Sequence, residues 1–153
     1  MVDGFPAAIS FNVSHGGRHG LIAVAPGGRL GVDVEERVAR RDLDGLIGTA
    51  FAPQEQADLA ALRGSRRLHA FYHVWTMKEA LLKALGTGLS RDMSGFEIPA
   101  SLRRGMATET FRFPWMPEVR WRLLDLGNEE FAAAIAHELP RDEETAELPE
   151  AAT

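Results

Sequence analysis

The chain has 153 residues, and its 22 acidic side chains against 17 basic ones give a formal charge of −5. That length suits one domain, and a 45% hydrophobic content excludes a wholly disordered chain. With no cysteine, disulfides, zinc–thiolate centres, iron–sulfur clusters and thiol nucleophiles are all excluded. The charge is uneven: residues 141–153 hold five acids and one base, which leaves 17 acids and 16 bases in the body. A domain over 1–140 followed by an acidic, disordered tail over 141–153 is therefore expected. The arginines are scattered and form no basic stripe, so no nucleic acid is expected as a partner. No apolar run approaches the ~20 residues that span a bilayer, and the first residues lack a signal peptide's basic start and apolar stretch. A cytoplasmic protein without a membrane partner is expected.

Along the chain, residues 11–15 read as a short strand ending at the turn signal Gly16-Gly17, and 21–25 as a second. Pro26-Gly27-Gly28 turns into a third strand over 30–35. With a period of two, Val32 and Val34 share one face of it while Asp33 and Glu35 share the other, taken as exposed. A helix over 42–51 is weakened by Gly45 and Gly48; Pro53 suits the first turn of the next, over 54–62. The spacing predicts a long helix over 66–85, with Ser65 as its cap and Gly86 as its stop. Its apolar stripe runs through Phe71, Val74, Trp75, Leu81, Leu82 and Leu85. Strand character returns at 96–98, 111–113, 119–124 and 131–136, the last two joined by a turn at Leu126-Gly127-Asn128. The order of strands, helices and strands gives an α+β fold, an antiparallel sheet packed against one long helix.

The candidate chemistry is carried by few residues. Asp33 and Glu35 on one strand face suit a hard cation such as Mg²⁺, held by one or two carboxylates with phosphate oxygens and water. The same pair also suits a solvated strand edge, on which Asp33→Ala would leave the fold intact. Glu79 joins them if the long helix packs on that strand, or else pairs with Lys83 one turn on. Fifteen basic residues are arginine and only two, Lys78 and Lys83, are lysine. Both fall within one short segment of that helix, and a compact ammonium suits a phosphate as a point charge. Lys78 lies inside the apolar stripe, where it must be paired or snorkel to solvent. Ser14-His15 before two glycines places a hydroxyl and an imidazole where a ligand can approach. A Ser nucleophile is not expected there, since adjacent residues rarely reach the needed geometry. His69 and His73, four apart, lack the glutamate of a zinc-protease motif.

Taken in order, Phe11-Asn12-Val13-Ser14-His15, Gly31-Val32-Asp33-Val34-Glu35, and the run Trp75-Thr76-Met77-Lys78-Glu79-Ala80-Leu81-Leu82-Lys83-Ala84-Leu85-Gly86-Thr87-Gly88-Leu89 resemble the 4′-phosphopantetheinyl transferases. The likeness is to the type that activates surfactin synthetase, and it covers roughly residues 4–138. It implies one repeat of that fold. It further implies transfer of phosphopantetheine from coenzyme A to a serine of an acyl or peptidyl carrier protein, releasing adenosine 3′,5′-bisphosphate. By this resemblance Asp33, Glu35 and Glu79 are magnesium ligands, and Glu79 is also the base for the incoming serine. Lys83 neutralises the pyrophosphate, Lys78 supports it, and Ser14 and His15 lie near the 3′-phosphate. The serine nucleophile then comes from the partner, so no strong internal nucleophile is needed.

The sequence departs from that family in one respect. The surfactin-type members are pseudo-dimers, and this chain matches only their second half. The Gly-Lys-Pro element that usually precedes the match is Gly4-Phe5-Pro6 here. A homo-oligomer, dimer or trimer, is one way to complete the site, with Phe5, Ile9 and Phe11 either lining the interface or filling the core under the first strand. The alternative is a non-catalytic half-domain that binds coenzyme A or a carrier protein.

Overall fold

The computed structural model describes residues 9–86 and 92–141. Strands β1 (Ser10–Gly16) and β2 (His19–Ala25) pair as a separate two-stranded ribbon. Strands β3 (Leu30–Glu36), β4 (Thr108–Phe113), β5 (Met116–Asp125) and β6 (Phe131–Glu138) form an antiparallel sheet in the order β3-β6-β5-β4. Between β3 and β4 lie α1 (Leu43–Ala50), α2 (Pro53–Ala60), the long α3 (Gly64–Leu85), a 3₁₀ turn (Met93–Gly95) and the single turn α4 (Ala100–Arg103). This is an α+β fold with one long helix laid across an antiparallel sheet. Three stretches singled out above lie outside the described residues: Gly4-Phe5-Pro6, Thr87-Gly88-Leu89 and the acidic tail from 142 onward.

Small residues let α3 approach the sheet. Ala132, Ala134 and Ala136 of β6 are buried in one cluster with Met77, Ala80, Leu81 and Ala84 of α3. At Gly31 the approach is closest: a Cβ there would collide with the carbonyl oxygen of Ala80 and lie 2.5 Å from the amide nitrogen of Ala84. On the sheet's opposite side the ribbon packs Ala23 and Ala25 against Leu30 and Val32. β3 is thus covered on both faces, which a half-exposed alternating strand would not be.

The ribbon also serves the free edge of β3. The N–H of Val32 donates to Asn12 Oδ1 at 2.9 Å, and that of Val34 to Ser14 Oγ at 3.2 Å. Side chains of β1 therefore satisfy edge groups that a neighbouring strand would otherwise take. A Cβ at Gly16 would strike the carbonyl oxygen of Val34, so glycine ends this face of β1.

Two expectations are corrected. Ser65 does not cap α3: the helix opens at Gly64 after Arg63, whose extended backbone holds the flanking position, and no side chain caps it. Gly86 does end it, in the left-handed conformation with φ 74°. The strand expected over 96–98 has no strand partner. The carbonyls of Met93 and Phe96 accept from Lys78, and the N–H of Ile98 donates to Glu55, so buried side chains occupy the groups a sheet would have paired. Among the described residues no helix is long and apolar enough to cross a membrane.

Candidate active site

The site forms where β1, β3 and the last turns of α3 meet. Asp33 projects from β3 towards the helix side, and α3 leaves it only 4% exposed. This corrects the exposed face expected from alternation: α3 covers it. Lys83 reaches in from α3, its Nζ 3.1 Å from Asp33 Oδ1, 3.0 Å from the carbonyl of Val32 and 3.2 Å from Ser14 Oγ. Ser14 Oγ lies 3.4 Å from the same Asp33 oxygen. Asp33 Oδ2 is buried with no hydrogen-bond partner.

Glu35 and Glu79, both half-buried, complete the acidic group. Burial, reinforced by the charges of Glu35 and Glu79, pushes the Asp33 carboxyl up to about 7 despite the neighbouring Lys83. Burial also raises Glu35, which is hydrogen-bonded to Trp75. Burial raises Glu79 too, with repulsion from Glu35 adding to it. Three carboxylates that each resist ionisation, one with an orphaned oxygen, form a donor set suited to a hard divalent cation. Among the described residues no three such side chains already converge as a coordination sphere.

The other expected residues are placed differently. His15 follows Ser14 in the strand and so faces the opposite way; it is exposed while Ser14 is buried. Lys78 is not brought to this group. It is 0% exposed, its Nζ 2.7 Å from Glu55 Oε1 and bonded to the carbonyls of Ala50, Met93 and Phe96. Lys83 lies five positions further along, which places the two on different sides of a helix. His69 and His73 line a cleft of about 310 Å³ with Asp125 and Arg103, sharing no residue with the carboxylates. There His73 Nε2 bonds the Leu102 carbonyl at 2.8 Å, and Nδ1 faces Asp125 at 3.6 Å.

Sequence reasoning missed Asn12, Trp75 and Glu55. The alternation in β1 that puts Asn12 beside Ser14 was a usable signal, because residues two apart share a strand face. Nothing in the sequence marks Glu55 as fully buried.

The profile of the 4′-phosphopantetheinyl transferase superfamily matches residues 29–136. A 4′-phosphopantetheinyl transferase of Bacillus subtilis is 34% identical over 91 residues, 58% of this chain and 38% of that protein. The 4′-phosphopantetheinyl transferase HetI of a Nostoc species is 31% identical over 131 residues, 85% of this chain and 52% of that one. The chain thus spans about half or less of the length of these relatives. A crystal structure of a Bacillus anthracis holo-(acyl-carrier-protein) synthase in complex with CoA (3′,5′-ADP) has the same fold. Its TM-score is 0.51 at 23% identity, over 74% of this chain and 96% of that one.

Proposed function

The chain belongs to the 4′-phosphopantetheinyl transferase superfamily, and we propose that it moves the 4′-phosphopantetheine arm of coenzyme A onto a serine of an acyl or peptidyl carrier protein. The serine oxygen attacks the phosphorus bearing the pantetheine arm. The bond from that phosphorus to the bridging oxygen breaks, and adenosine 3′,5′-bisphosphate leaves. The observation that carries this reading is the Lys83–Asp33 contact at 3.1 Å, with Glu35 and Glu79 near enough to raise the Asp33 carboxyl. Phosphoryl transfer needs alignment and charge neutralisation more than covalent help.

Asp33, Glu35 and Glu79 would hold Mg²⁺, with Asp33 Oδ2 the oxygen that lacks any other partner. When bound, the ion neutralises the pyrophosphate and helps fix its orientation. Lys83 sets an ammonium against the same phosphates. Glu79, whose burial raises its proton affinity, takes the proton of the incoming serine. His15, exposed at the end of β1, is the residue free to meet the 3′-phosphate, while the Ser14 hydroxyl works inside the site. Lys78 and Glu55 hold the helices together.

A homo-oligomer, dimer or trimer, completes the assembly. Phe11, Val13, Ile22 and Val24 stand on one face of the ribbon, Phe11 opposite Val24 and Val13 opposite Ile22. Phe11 is 70% and Ile22 72% exposed, in a ribbon whose other face is packed. Such a contiguous apolar face is a place for a second copy. A domain over 1–140 with an acidic tail fits the composition, the family points to coenzyme A as co-substrate, and the cytoplasm is the proposed location. The test is incubation with apo-carrier protein, coenzyme A and Mg²⁺, followed by intact mass of the carrier. A gain of one phosphopantetheine is expected. Coenzyme A binding without that gain favours the second reading, a non-catalytic half-domain.

A further inference from the structure

Lys83 and Asp33 are in direct contact, although the proposed function gives them different partners. The lysine's three acceptors, Asp33 Oδ1, Ser14 Oγ and the Val32 carbonyl, exhaust the three donors of an ammonium. In this state no donor is left for a phosphate. The ammonium also sits on the carboxylate that a divalent cation would share, and two cations on one buried carboxylate repel.

The surroundings give each group a fixed and a free side. Asp33 Oδ1 is held by Ser14, which in turn is fixed by the Val34 N–H, while Oδ2 has no partner. The Lys83 side chain is 33% exposed and sits on a flexible four-carbon stem, so it has a route out. Lys78 has none, being 0% exposed.

Resting on the proposed function, we infer that Lys83 is an exchangeable cation. It neutralises Asp33 in the ligand-free protein and moves to the pyrophosphate when the metal takes its place, so that metal and coenzyme A each bind tightly only when the other is present. Ser14 is the positioning residue that keeps Asp33 Oδ1 in place through the exchange. Without Lys83 the free protein would hold three crowded carboxylates, with Arg40 left to offset Glu35 and the charge that offsets Asp33 and Glu79 gone. By linkage, coenzyme A tightens the metal by the same factor as the metal tightens coenzyme A.

Two measurements test this without reading activity. The chain has only two lysines, so lysine-labelled NMR gives two side-chain signals, with Lys78 as an internal reference. The Lys83 signal should shift when Mg²⁺ and coenzyme A are both present, while that of Lys78 stays. In calorimetry, wild type should bind Mg²⁺ at least tenfold more tightly with coenzyme A than without. Lys83→Met should bind Mg²⁺ alone at least tenfold more tightly than wild type and gain less from coenzyme A than wild type does. An unmoved Lys83 signal overturns the exchange, and so does a wild-type Mg²⁺ affinity in Lys83→Met, while the transfer reading stands. No Mg²⁺ binding by either protein, even with coenzyme A, overturns the metal assignment and the exchange with it.

Discussion

Replacing Asp33 with Asn should stabilise the metal-free protein at alkaline pH, the opposite of what a conserving substitution at a buried paired residue usually does. The cause is the carboxyl's rise from 3.8 to about 7, produced chiefly by burial under α3 and opposed by Lys83. Between those two values the native state binds a proton that the unfolded state has lost. Unfolding free energy therefore falls as pH rises through this window and levels off above about 7. At about 1.4 kcal/mol per pH unit, the whole window corresponds to a ceiling of roughly 4 kcal/mol. Asn cannot titrate, keeps an oxygen for Lys83 and Ser14, and lightens the repulsion on Glu35 and Glu79. The gap between Asp33→Asn and wild type should widen in the variant's favour by roughly 2–3 kcal/mol from pH 5 to pH 8. Urea titrations of both proteins at the two pH values, with chelator present, measure that double difference directly. Parallel stability–pH curves would refute the linkage between burial at this site and its charge.

Lys78→Met should cost about 3–5 kcal/mol in a denaturant melt, because it strands the Glu55 carboxylate in a site with no exposure; coenzyme A affinity per folded molecule should stay unchanged. A Lys78→Met protein of wild-type stability would disprove the pairing. Gly31→Ala should leave little soluble protein, since its Cβ would run into the Ala80 carbonyl and lift α3 from β3; a normally folded variant would show that the helix sits farther away. Ile22→Glu should convert a dimer or trimer at micromolar concentration into a monomer by sedimentation velocity, and a wild-type monomer would remove the proposed use of the ribbon's apolar face.

Element types were legible wherever the pattern was periodic and the partner was the backbone. The alternation of Val32, Asp33, Val34 and Glu35 marked a strand, and Gly86 marked the end of α3. Burial was not legible. Alternation says that Asp33 and Val32 face opposite ways, yet not that a helix covers one side and a ribbon the other. The same gap hid Lys78. Its place in the apolar stripe was readable, but the choice between snorkelling and pairing depended on Glu55, 23 residues away in the sequence. The false strand at 96–98 has a related cause: apolar alternation predicts extended backbone, which Phe96 has, but pairing partners are a tertiary matter. Ser14 shows the limit for function. The residue type suggested a ligand contact, while the fold gives its hydroxyl the Val34 amide, Asp33 and Lys83.

The ribbon joins its exposed apolar face to the site. Asn12, Ser14 and Gly16 face β3, and Phe11 and Val13, alternating with them, face outward. A two-stranded ribbon is only marginally stable by itself, and this one is packed on a single side, by a small cluster around Leu30 and Val32. At ~25 cal/mol per Å² of apolar surface removed from water, covering the outer side would contribute several kcal/mol to holding it down. That stabilisation acts on the strand that carries Ser14, and through Ser14 on Asp33 Oδ1 and Lys83. In the proposed oligomer the second copy need not touch coenzyme A to matter. By fixing β1 against β3, it would fix the oxygen that Lys83 must release and the edge on which Asp33 presents its free one.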